Sequence, residues 1–291
     1  MEISGPEQGC YVYGITRADG DCPLDDTRGM GVEGSGPVYA VACRDISAIA
    51  SNVSLDEFGE EALKSNLSDP EWLAEKAQAH HRVLVALGAC RSVAPMRLFT
   101  ICLSEQRIRA MLIENHDRFL DVLARLDGTQ EWGIKLYSRG DELRESLPEL
   151  SDAVRSLQAD LDGRTGGAAY FRGKKLEETA ASEMERIRDE VVDESYARLA
   201  RHAAGSAVCS STSREATGRP DDMILNAAYL VSRDRLEGFR AELDALCARN
   251  VPLGFAYELS GPWPPYNFAQ VDACDDKSAE PQCCREERHD P

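Results

Sequence analysis

The sequence of 291 residues lacks long apolar runs. Its longest hydrophobic stretches, among them FTICL from Phe99 and YLV from Tyr229, fall far short of the ~20 residues that a transmembrane helix needs. The beginning of the chain, MEISGPEQGC, has no basic region followed by an apolar stretch, so it does not have the form of a secretory signal. We therefore expect a soluble, cytoplasmic protein that does not bind membranes.

Basic residues are also scarce. The chain has 33 lysines and arginines against 51 aspartates and glutamates, which gives a formal net charge of −18. Because so acidic a protein repels phosphate groups, we expect no nucleic-acid partner. Hydrophobic residues make up 43% of the chain, which is enough to build sizeable cores, and the length favours two domains.

Cysteines are present, ten in all, but none of them forms a C-x-x-C pair. We interpret most of them as reduced, buried hydrophobic residues. A group near the end of the chain could gather a zinc ion or form disulfides, but its spacing is not that of a structural zinc site; it comprises Cys274, Cys283, Cys284 and His289. His80 and His81 are adjacent on a predicted helix, so their side chains diverge by about 100° and do not share a metal. The sequence therefore predicts no metal site.

Motifs for cofactor binding and nucleophilic catalysis are missing as well. Neither G-x-x-x-x-G-K-[ST] nor G-x-S-x-G occurs. Residues Gly29 to Gly34, GMGVEG, have the letters of G-x-G-x-x-G, but a dinucleotide site needs a strand before this motif and a helix after it. Here a polar loop precedes and strand-like sequence follows. We predict no catalytic residue, cofactor or small-molecule substrate, and we keep an enzyme on an α+β scaffold as the alternative, because catalytic groups can assemble from distant positions.

The first part of the chain has the pattern of an α+β domain over residues 10–128, after a flexible segment 1–9. CYVYGIT and the two halves of VYAVACRDISAIAS predict three strands. A helix is predicted from Pro70 to Leu87, with Asp69 as its N-cap and Gly88 as its stop signal. APMRLFTICLS then predicts a strand, and Ser104 caps a long amphipathic helix that follows. We expect a mixed sheet with the helices to one side.

A second α+β domain is predicted over residues 129–268, because a helix ends at Gly128 and the strand EWGIKLY follows. Apolar residues spaced alternately four and three apart then predict a coiled-coil seam, formed by Leu143, Leu147, Leu150, Val154, Leu157 and Leu161. A second periodic helix follows, so we expect an antiparallel helical hairpin over about residues 140–204; two ordinary core helices are the alternative. A polar loop, a strand, a helix and a strand complete a ferredoxin-like domain. We interpret residues 269–291 as a disordered, acidic tail containing cysteines.

The stretch SGPWPPYNF, Ser260 to Phe268, is called the signature segment below. Its three prolines bias the backbone toward an extended or polyproline conformation. Trp263, Tyr266 and Phe268 supply most of its apolar area, and aromatic rings dominate both cores and interfaces. Two interpretations stay open: the segment packs onto its own domain and completes the fold, or it contacts another protein.

The signature segment resembles the C-terminal signature of the gas-vesicle accessory proteins of the GvpF/GvpL family. Six further blocks agree in order, namely YVYGIT, AHHRVL, APMRLFT, EWGIKLY, GGAAYFRGKK and LNAAYLV, so the resemblance spans about Tyr11 to Phe268. The sequence departs from the family at Leu98 and Phe99, where Phe and Gly are usual, and in its long tail. The long tail leads us to favour the L type.

This resemblance implies two α+β domains with a helical part and no catalytic residues. It also implies a cytoplasmic, gas-vesicle-associated function as an assembly factor or minor structural component that binds the shell protein and other accessory proteins. We name Trp263, Tyr266 and Phe268 as candidate contacts, with Arg97, Tyr170, Phe171 and Arg172 as further candidates. An assembly factor and a permanent shell component are not separated by the sequence.

Overall fold

The computed structural model describes residues 7–18, 29–34, 36–161, 167–209 and 221–269. These residues form an α+β structure, as the sequence predicts, and this structure contains two antiparallel sheets. We refer to the parts before and after Gly128 as the N-terminal and C-terminal halves.

The N-terminal half contains a sheet of five strands in the order β2-β3-β1-β4, with β5 also paired to β1. The strands are β1 (Gln8–Arg17), β2 (Val38–Cys43), β3 (Ile46–Ser54), β4 (Val93–Pro95) and β5 (Ile101–Cys102). The helices are α1 (Leu55–Phe58), α2 (Glu60–Asn66), α3 (Pro70–Cys90), α4 (Glu105–Glu114) and α5 (His116–Leu126). All of its described pairings are antiparallel, so the expected mixed sheet is wrong. The reason is that short reversals such as Arg44–Asp45 return the chain beside the strand it has just left.

The C-terminal half contains a sheet of four strands in the order β7-β8-β6-β9. Its strands are β6 (Thr129–Ser138), β7 (Gly205–Val208), β8 (Asp222–Ser232) and β9 (Phe255–Trp263). Its helices are α6 (Gly140–Leu150), α7 (Asp152–Leu161), α8 (Gly167–Ala200) and α9 (Leu236–Asn250). β7 lies in a stretch predicted as loop, because only four residues pair and the run is too short to give a strand pattern.

Strand β1 is buried on both faces, and alternate side chains enter different cores. Cys10 and Val12 pack with residues of α4 and α5, whereas Tyr11 and Tyr13 pack with residues of α1 and α3. Helices therefore cover both faces of the N-terminal sheet, and the expectation that they lie to one side is wrong. A third core joins the C-terminal sheet to α6, α8 and α9.

Helix α3 begins as predicted but extends past its predicted end. The Asp69 carboxylate accepts hydrogen bonds from the backbone N–H groups of Glu71 and Trp72, which confirms the N-cap. The helix continues through Gly88 to Cys90, so Gly88 is a helical residue and not a stop. The segment that follows α3 is predicted as one strand. It is split into β4 and β5 around Phe99, which has φ of 63°.

The later helices are more segmented than the periodicity predicts. The helix that starts after the confirmed cap Ser104 is interrupted at Asn115, giving α4 and α5. The apolar seam from Leu143 is divided at Ser151, between α6 and α7. Leu143, Leu147 and Val154 are nonetheless buried, and Ile187 and Val191 of α8 belong to the same core.

The ends of the two halves differ from the predicted boundaries in detail. The strand β1 already starts at Gln8, inside the segment predicted as flexible. Ala269, assigned to the tail, is buried in the core that contains Val12. The remainder of the predicted tail, 270–291, and residues 210–220 of the predicted loop lie outside the described residues.

Two glycine substitutions test this backbone. Gly254 has φ of +89°, and a Cβ there would lie 2.8 Å from the Leu143 nitrogen. Gly254→Ala should therefore lower the free energy of unfolding by more than about 1 kcal/mol.

Gly88→Ala should raise the free energy of unfolding by about 0.5–1 kcal/mol, because a helical alanine loses less entropy on folding than glycine and a Cβ at Gly88 meets nothing within 4 Å. Urea unfolding of both variants measures this, and a destabilised Gly88→Ala would contradict a helical Gly88.

Candidate protein-interaction site

The signature segment leaves the C-terminal sheet at a distortion of β9. The register between β6 and β9 shifts opposite Glu131 and Gly133, where the peptide between Gly261 and Pro262 is cis. Gly261 has φ of +118°, and a Cβ there would lie 2.9 Å from the Glu131 carbonyl oxygen. Beyond Trp263 the chain turns, with the Tyr266 N–H donating to the Pro264 carbonyl at 2.7 Å. The predicted extended conformation is therefore present only as far as Trp263, where β9 ends, and the rest of the segment turns toward the N-terminal half.

A buried carboxylate holds the end of the signature segment. Glu131, on β6, is only 3% exposed. One of its oxygens accepts from the Asn267 backbone N–H at 2.9 Å, and the other accepts from the Asn267 side-chain amide at 2.7 Å. Burial raises the pKa of Glu131, and the two hydrogen bonds from Asn267 partly oppose that shift. Glu131 therefore fixes the position of Asn267 through both of its oxygens.

The aromatic residues of the signature segment pack on α3. The His81 ring lies 5.5 Å from the Trp263 ring and 6.2 Å from the Tyr266 ring. The Tyr266 hydroxyl and His81 Nδ1 are 3.1 Å apart and share a hydrogen bond. Burial lowers the pKa of His81 and raises the pKa of Tyr266 to about 12, so both groups are uncharged at neutral pH. The AHHRVL and PWPPYNF blocks, far apart in sequence, thus meet in space.

The last residues of the segment enter the core of the N-terminal half. Phe268 and Ala269 pack against the cluster that contains Val12 and Phe119. The Arg125 guanidinium, on α5, donates to the Phe268 carbonyl at 2.7 Å. The segment therefore joins the two halves, a contact that neither interpretation of its sequence includes, since one expects packing within its own domain and the other expects contact with another protein.

Part of the aromatic surface stays accessible after this packing. Trp263 is 42% exposed and Tyr266 is 37% exposed. A cavity of about 410 Å³ lies between the end of α3 and the Pro262–Pro265 stretch, with Val85 and Trp263 in its walls. A second cavity, of about 320 Å³, brings Arg97 together with Tyr266. The junction of the halves therefore carries three of the predicted contact residues, with Trp263 at the first cavity and with Arg97 and Tyr266 at the second.

The remaining predicted residues lie at the start of α8, which we call the hairpin tip (Tyr170, Phe171 and Arg172). Tyr170 and Phe171 are 72% and 73% exposed, and their rings are 5.8 Å apart in an edge-to-face arrangement. Arg172 pairs with Asp160 of α7. Side chains this apolar are seldom left in water without a partner when they are adjacent.

Sequence reasoning missed the residues that position the signature segment. Glu131 lies in the EWGIKLY block and Asn267 in the signature segment, but no sequence pattern shows that their side chains meet. Arg125 lies in none of the quoted blocks.

His80 and His81 each share a hydrogen bond with a tyrosine, Tyr11 and Tyr266 respectively. Within the described ranges, no three His, Cys, Asp or Glu side chains are grouped as a metal ion would require. The predicted cysteine group near the end of the chain lies outside those ranges.

Comparison with known proteins identifies relatives over most of the chain. The family model "Gas vesicle synthesis protein GvpL/GvpF" matches residues 9–270. Gas vesicle protein L from Streptomyces sp. (strain CB03234) is 31% identical over 263 residues, which cover 90% of this chain and 92% of that protein. Gas vesicle protein F from the same organism is 26% identical over 263 residues, which cover 89% of this chain and 99% of that protein.

Solved structures show the same fold. The crystal structure of GvpF from Anabaena sp. PCC7120 superposes with a TM-score of 0.62 at 16% identity and covers 91% of this chain and 99% of its own. The structure of GvpF from Microcystis aeruginosa gives a TM-score of 0.58 at 18% identity, covering 90% and 99%. In the described part of this chain, no helix has both the length and the apolar character needed to cross a bilayer.

Removing the Asn267 amide tests the attachment of the signature segment. Asn267→Ala leaves the buried Glu131 carboxylate with one donor fewer, so we expect the free energy of unfolding to fall by about 1.5–3 kcal/mol. Asn52→Ala is the control, since it removes an exposed, uncharged hydrogen bond to Tyr39 and should cost about 1 kcal/mol or less. Urea unfolding measures both variants. Equal decreases in their unfolding free energies would show that the Glu131–Asn267 contact stabilises the fold no more than an exposed hydrogen bond does.

The pH dependence of stability gives a second test. Because its pKa is raised on folding, Glu131 binds a proton more tightly in the folded protein than in the unfolded chain. Its contribution to the free energy of unfolding should therefore decrease as pH rises from about 4.5 through the folded pKa, and stay constant above it. The difference in unfolding free energy between wild type and Glu131→Gln should show this fall. A difference that grows with pH would contradict the assignment.

Proposed function

The chain belongs to the GvpL/GvpF family of gas vesicle synthesis proteins, and from this membership we propose that it binds the gas vesicle shell protein and other accessory proteins while vesicle formation is nucleated. It acts as an assembly factor or as a minor structural component. A shell subunit that must present an apolar face to gas aggregates before assembly unless another protein shields it. The function proposed here supplies that protection.

The exposed aromatic pair at the hairpin tip is the observation that carries this proposal. Tyr170 and Phe171 present two rings to solvent at the start of α8, a helix of 34 residues. Large rings with few rotatable bonds are the side chains that most often supply binding energy at protein interfaces. The tip is therefore the part of the chain best suited to meet an apolar subunit.

The signature segment provides a second contact surface in this proposal. Trp263 and Tyr266 supply its accessible rings, and Arg97 lines a cavity together with Tyr266. Phe268 acts by anchoring the segment in the N-terminal core, since its ring is partly buried there. The net charge of −18 keeps a protein with exposed aromatic groups from associating with itself.

We propose finer assignments of fold and type on the same basis. Division into domains at residues 10–128 and 129–268 is supported by the separate sheets, and a ferredoxin-like C-terminal unit by the strand order β7-β8-β6-β9. An antiparallel, coiled-coil-like hairpin over about 140–204 is supported by packing between α7 and α8. The L type is favoured by 31% identity to an L protein against 26% to an F protein of the same organism.

We further propose that the protein works at the gas vesicle and in the cytoplasm, without catalysis, cofactor or small-molecule substrate. Retention on vesicles after washing distinguishes a permanent component from a transient assembly factor. Deletion of the gene, followed by flotation and electron microscopy, tests the role as a whole. Cells that float normally without the protein would contradict it.

The hairpin tip can be tested by a double substitution. Tyr170→Ala with Phe171→Ala should weaken capture of the shell protein about 5- to 30-fold, because interface aromatics commonly contribute about 1–2 kcal/mol or more. Its unfolding free energy should stay within about 0.5 kcal/mol of wild type, since both side chains are exposed.

Leu103→Ala with Val208→Ala is the matched control. These side chains are similarly exposed, at 68% and 67%, but are not adjacent aromatics. Capture is measured by co-purification at working salt. If the tip variant captures shell protein as well as wild type does, the tip is not the contact surface.

A further inference from the structure

The second cavity, of about 320 Å³, contains a polar group that the proposed function does not use. We call it the His80 cavity; it is lined by Ala77, His80, Pro95, Met96, Arg97, Leu98 and Tyr266. His80 is only 3% exposed, and its Nε2 atom has no hydrogen-bond partner among the described residues. Buried polar atoms without partners are rare, so this nitrogen calls for an explanation.

The hydrogen bonds around His80 indicate which ring nitrogen carries the proton. The Phe99 N–H donates to the Tyr11 hydroxyl at 3.2 Å, and the same hydroxyl lies 2.9 Å from His80 Nδ1. Since the hydroxyl accepts from Phe99, its own proton is available to Nδ1, which then accepts. The imidazole proton therefore resides on Nε2.

This arrangement gives His80 a fixed orientation with one unused donor. Nδ1 is held by Tyr11, which does not line the cavity, whereas His80 itself does. Burial lowers the pKa of His80 to about 4, so the ring is uncharged at neutral pH. The donor is therefore a neutral N–H.

The wall of the cavity is built at a strained point of the backbone. Phe99, directly after the lining residue Leu98, has φ of 63°, a conformation that bulky residues rarely adopt. Its ring stacks on Trp72 at 5.3 Å, which holds it in place. The same Phe99 supplies the N–H that orients Tyr11. Strained backbone that is held by its surroundings is often found at binding sites.

We propose that the His80 cavity binds an uncharged hydrogen-bond acceptor attached to a small aliphatic group, such as an amide carbonyl beside a leucine-like side chain. The carbonyl oxygen accepts from His80 Nε2–H, and the aliphatic group packs against Pro95, Met96 and Leu98. A volume of about 320 Å³ is at the lower end of the range of about 300–1,000 Å³ that ligand sites have, which fits one residue and not a large cofactor.

Physical chemistry favours a neutral acceptor over a carboxylate. A carboxylate placed beside His80 loses its hydration, and the neutral imidazole offers no opposite charge in return. The net charge of −18 also repels anions from the surface. Arg97 lies in the wall and can contact a second polar atom of the ligand, but the buried donor favours an amide.

The test uses the full-length chain, isotope-labelled, and two small probes observed by NMR. N-acetyl-leucine N-methylamide is the neutral probe, and N-acetyl-leucine, its free acid, is the matched anion. The neutral probe should shift the His80 Nε2–H, Met96 methyl and Ala77 methyl signals, with a dissociation constant on the order of millimolar for a ligand this small. The free acid should bind at least several-fold more weakly.

Two variants and a control establish the site. His80→Phe should weaken binding of the neutral probe about tenfold, because the donor is lost. Since that change also removes the acceptor for Tyr11, Ala77→Leu provides an independent test: it fills the cavity from α3 and should abolish binding. Ala181→Leu, the same change at an exposed position of α8, should bind the probe as wild type does.

Titration with the shell protein then distinguishes two sources of the ligand. If shell protein shifts the same three signals and the neutral probe competes with it, the acceptor belongs to a partner's peptide segment. If the probe binds and shell protein leaves those signals unchanged, the natural ligand is a free small molecule. Both results support the site, whatever the outcome for the hairpin tip. The proposal would be overturned if the three signals stay unchanged at high probe concentration, as expected if water alone fills the cavity. Tighter binding of the free acid than of the neutral probe would also overturn it.

Discussion

The structure depends on the attachment of the signature segment to a carboxylate buried near the start of β6, where the two halves meet. Glu131 lies in β6, at the centre of the C-terminal sheet, and a carboxylate in that position needs strong donors. Asn267 supplies two of them. Once Asn267 is held there, Phe268 reaches the N-terminal core and the Trp263 and Tyr266 rings lie over α3. The contact between Glu131 and Asn267 thus links the end of the signature segment to β6 at the place where the halves meet.

Helix α3 connects this junction to the interior through two consecutive histidines. Neighbouring side chains on a helix point about 100° apart, so His81 faces the signature segment while His80 bonds to Tyr11 inside the N-terminal half. Tyr266 contacts His81 and also lines the cavity that His80 lines. A change in the position of the signature segment would therefore alter the wall of that cavity. The packing of the signature segment on α3 and the shape of the His80 cavity are therefore linked through Tyr266.

The sequence predicted what local patterns determine and missed what distant contacts determine. Asp69 and Ser104 were identified as caps because their bonds reach only a few residues along the chain. The left-handed Phe99 was not predicted, since its conformation is held by Trp72 and Tyr11, which no local pattern relates to it. The role of Glu131 could not be found either, because it is one of 51 acidic residues and its partner is 136 positions away. The resemblance indicated which segments matter, but not that two of them touch.

The exposed aromatic residues lie in two places, at the junction of the halves and at the hairpin tip. The function proposed above requires an exposed apolar surface, yet a large surface of this kind would lead to self-association. Here Trp263 and Tyr266 are partly shielded by His81, and the more exposed pair, Tyr170 and Phe171, is confined to the start of α8. Because the chain carries a net charge of −18, repulsion between copies opposes contact between their tips. A partner with an apolar face and less negative charge meets no such barrier. The exposed rings together with the negative charge therefore favour that partner over a second copy.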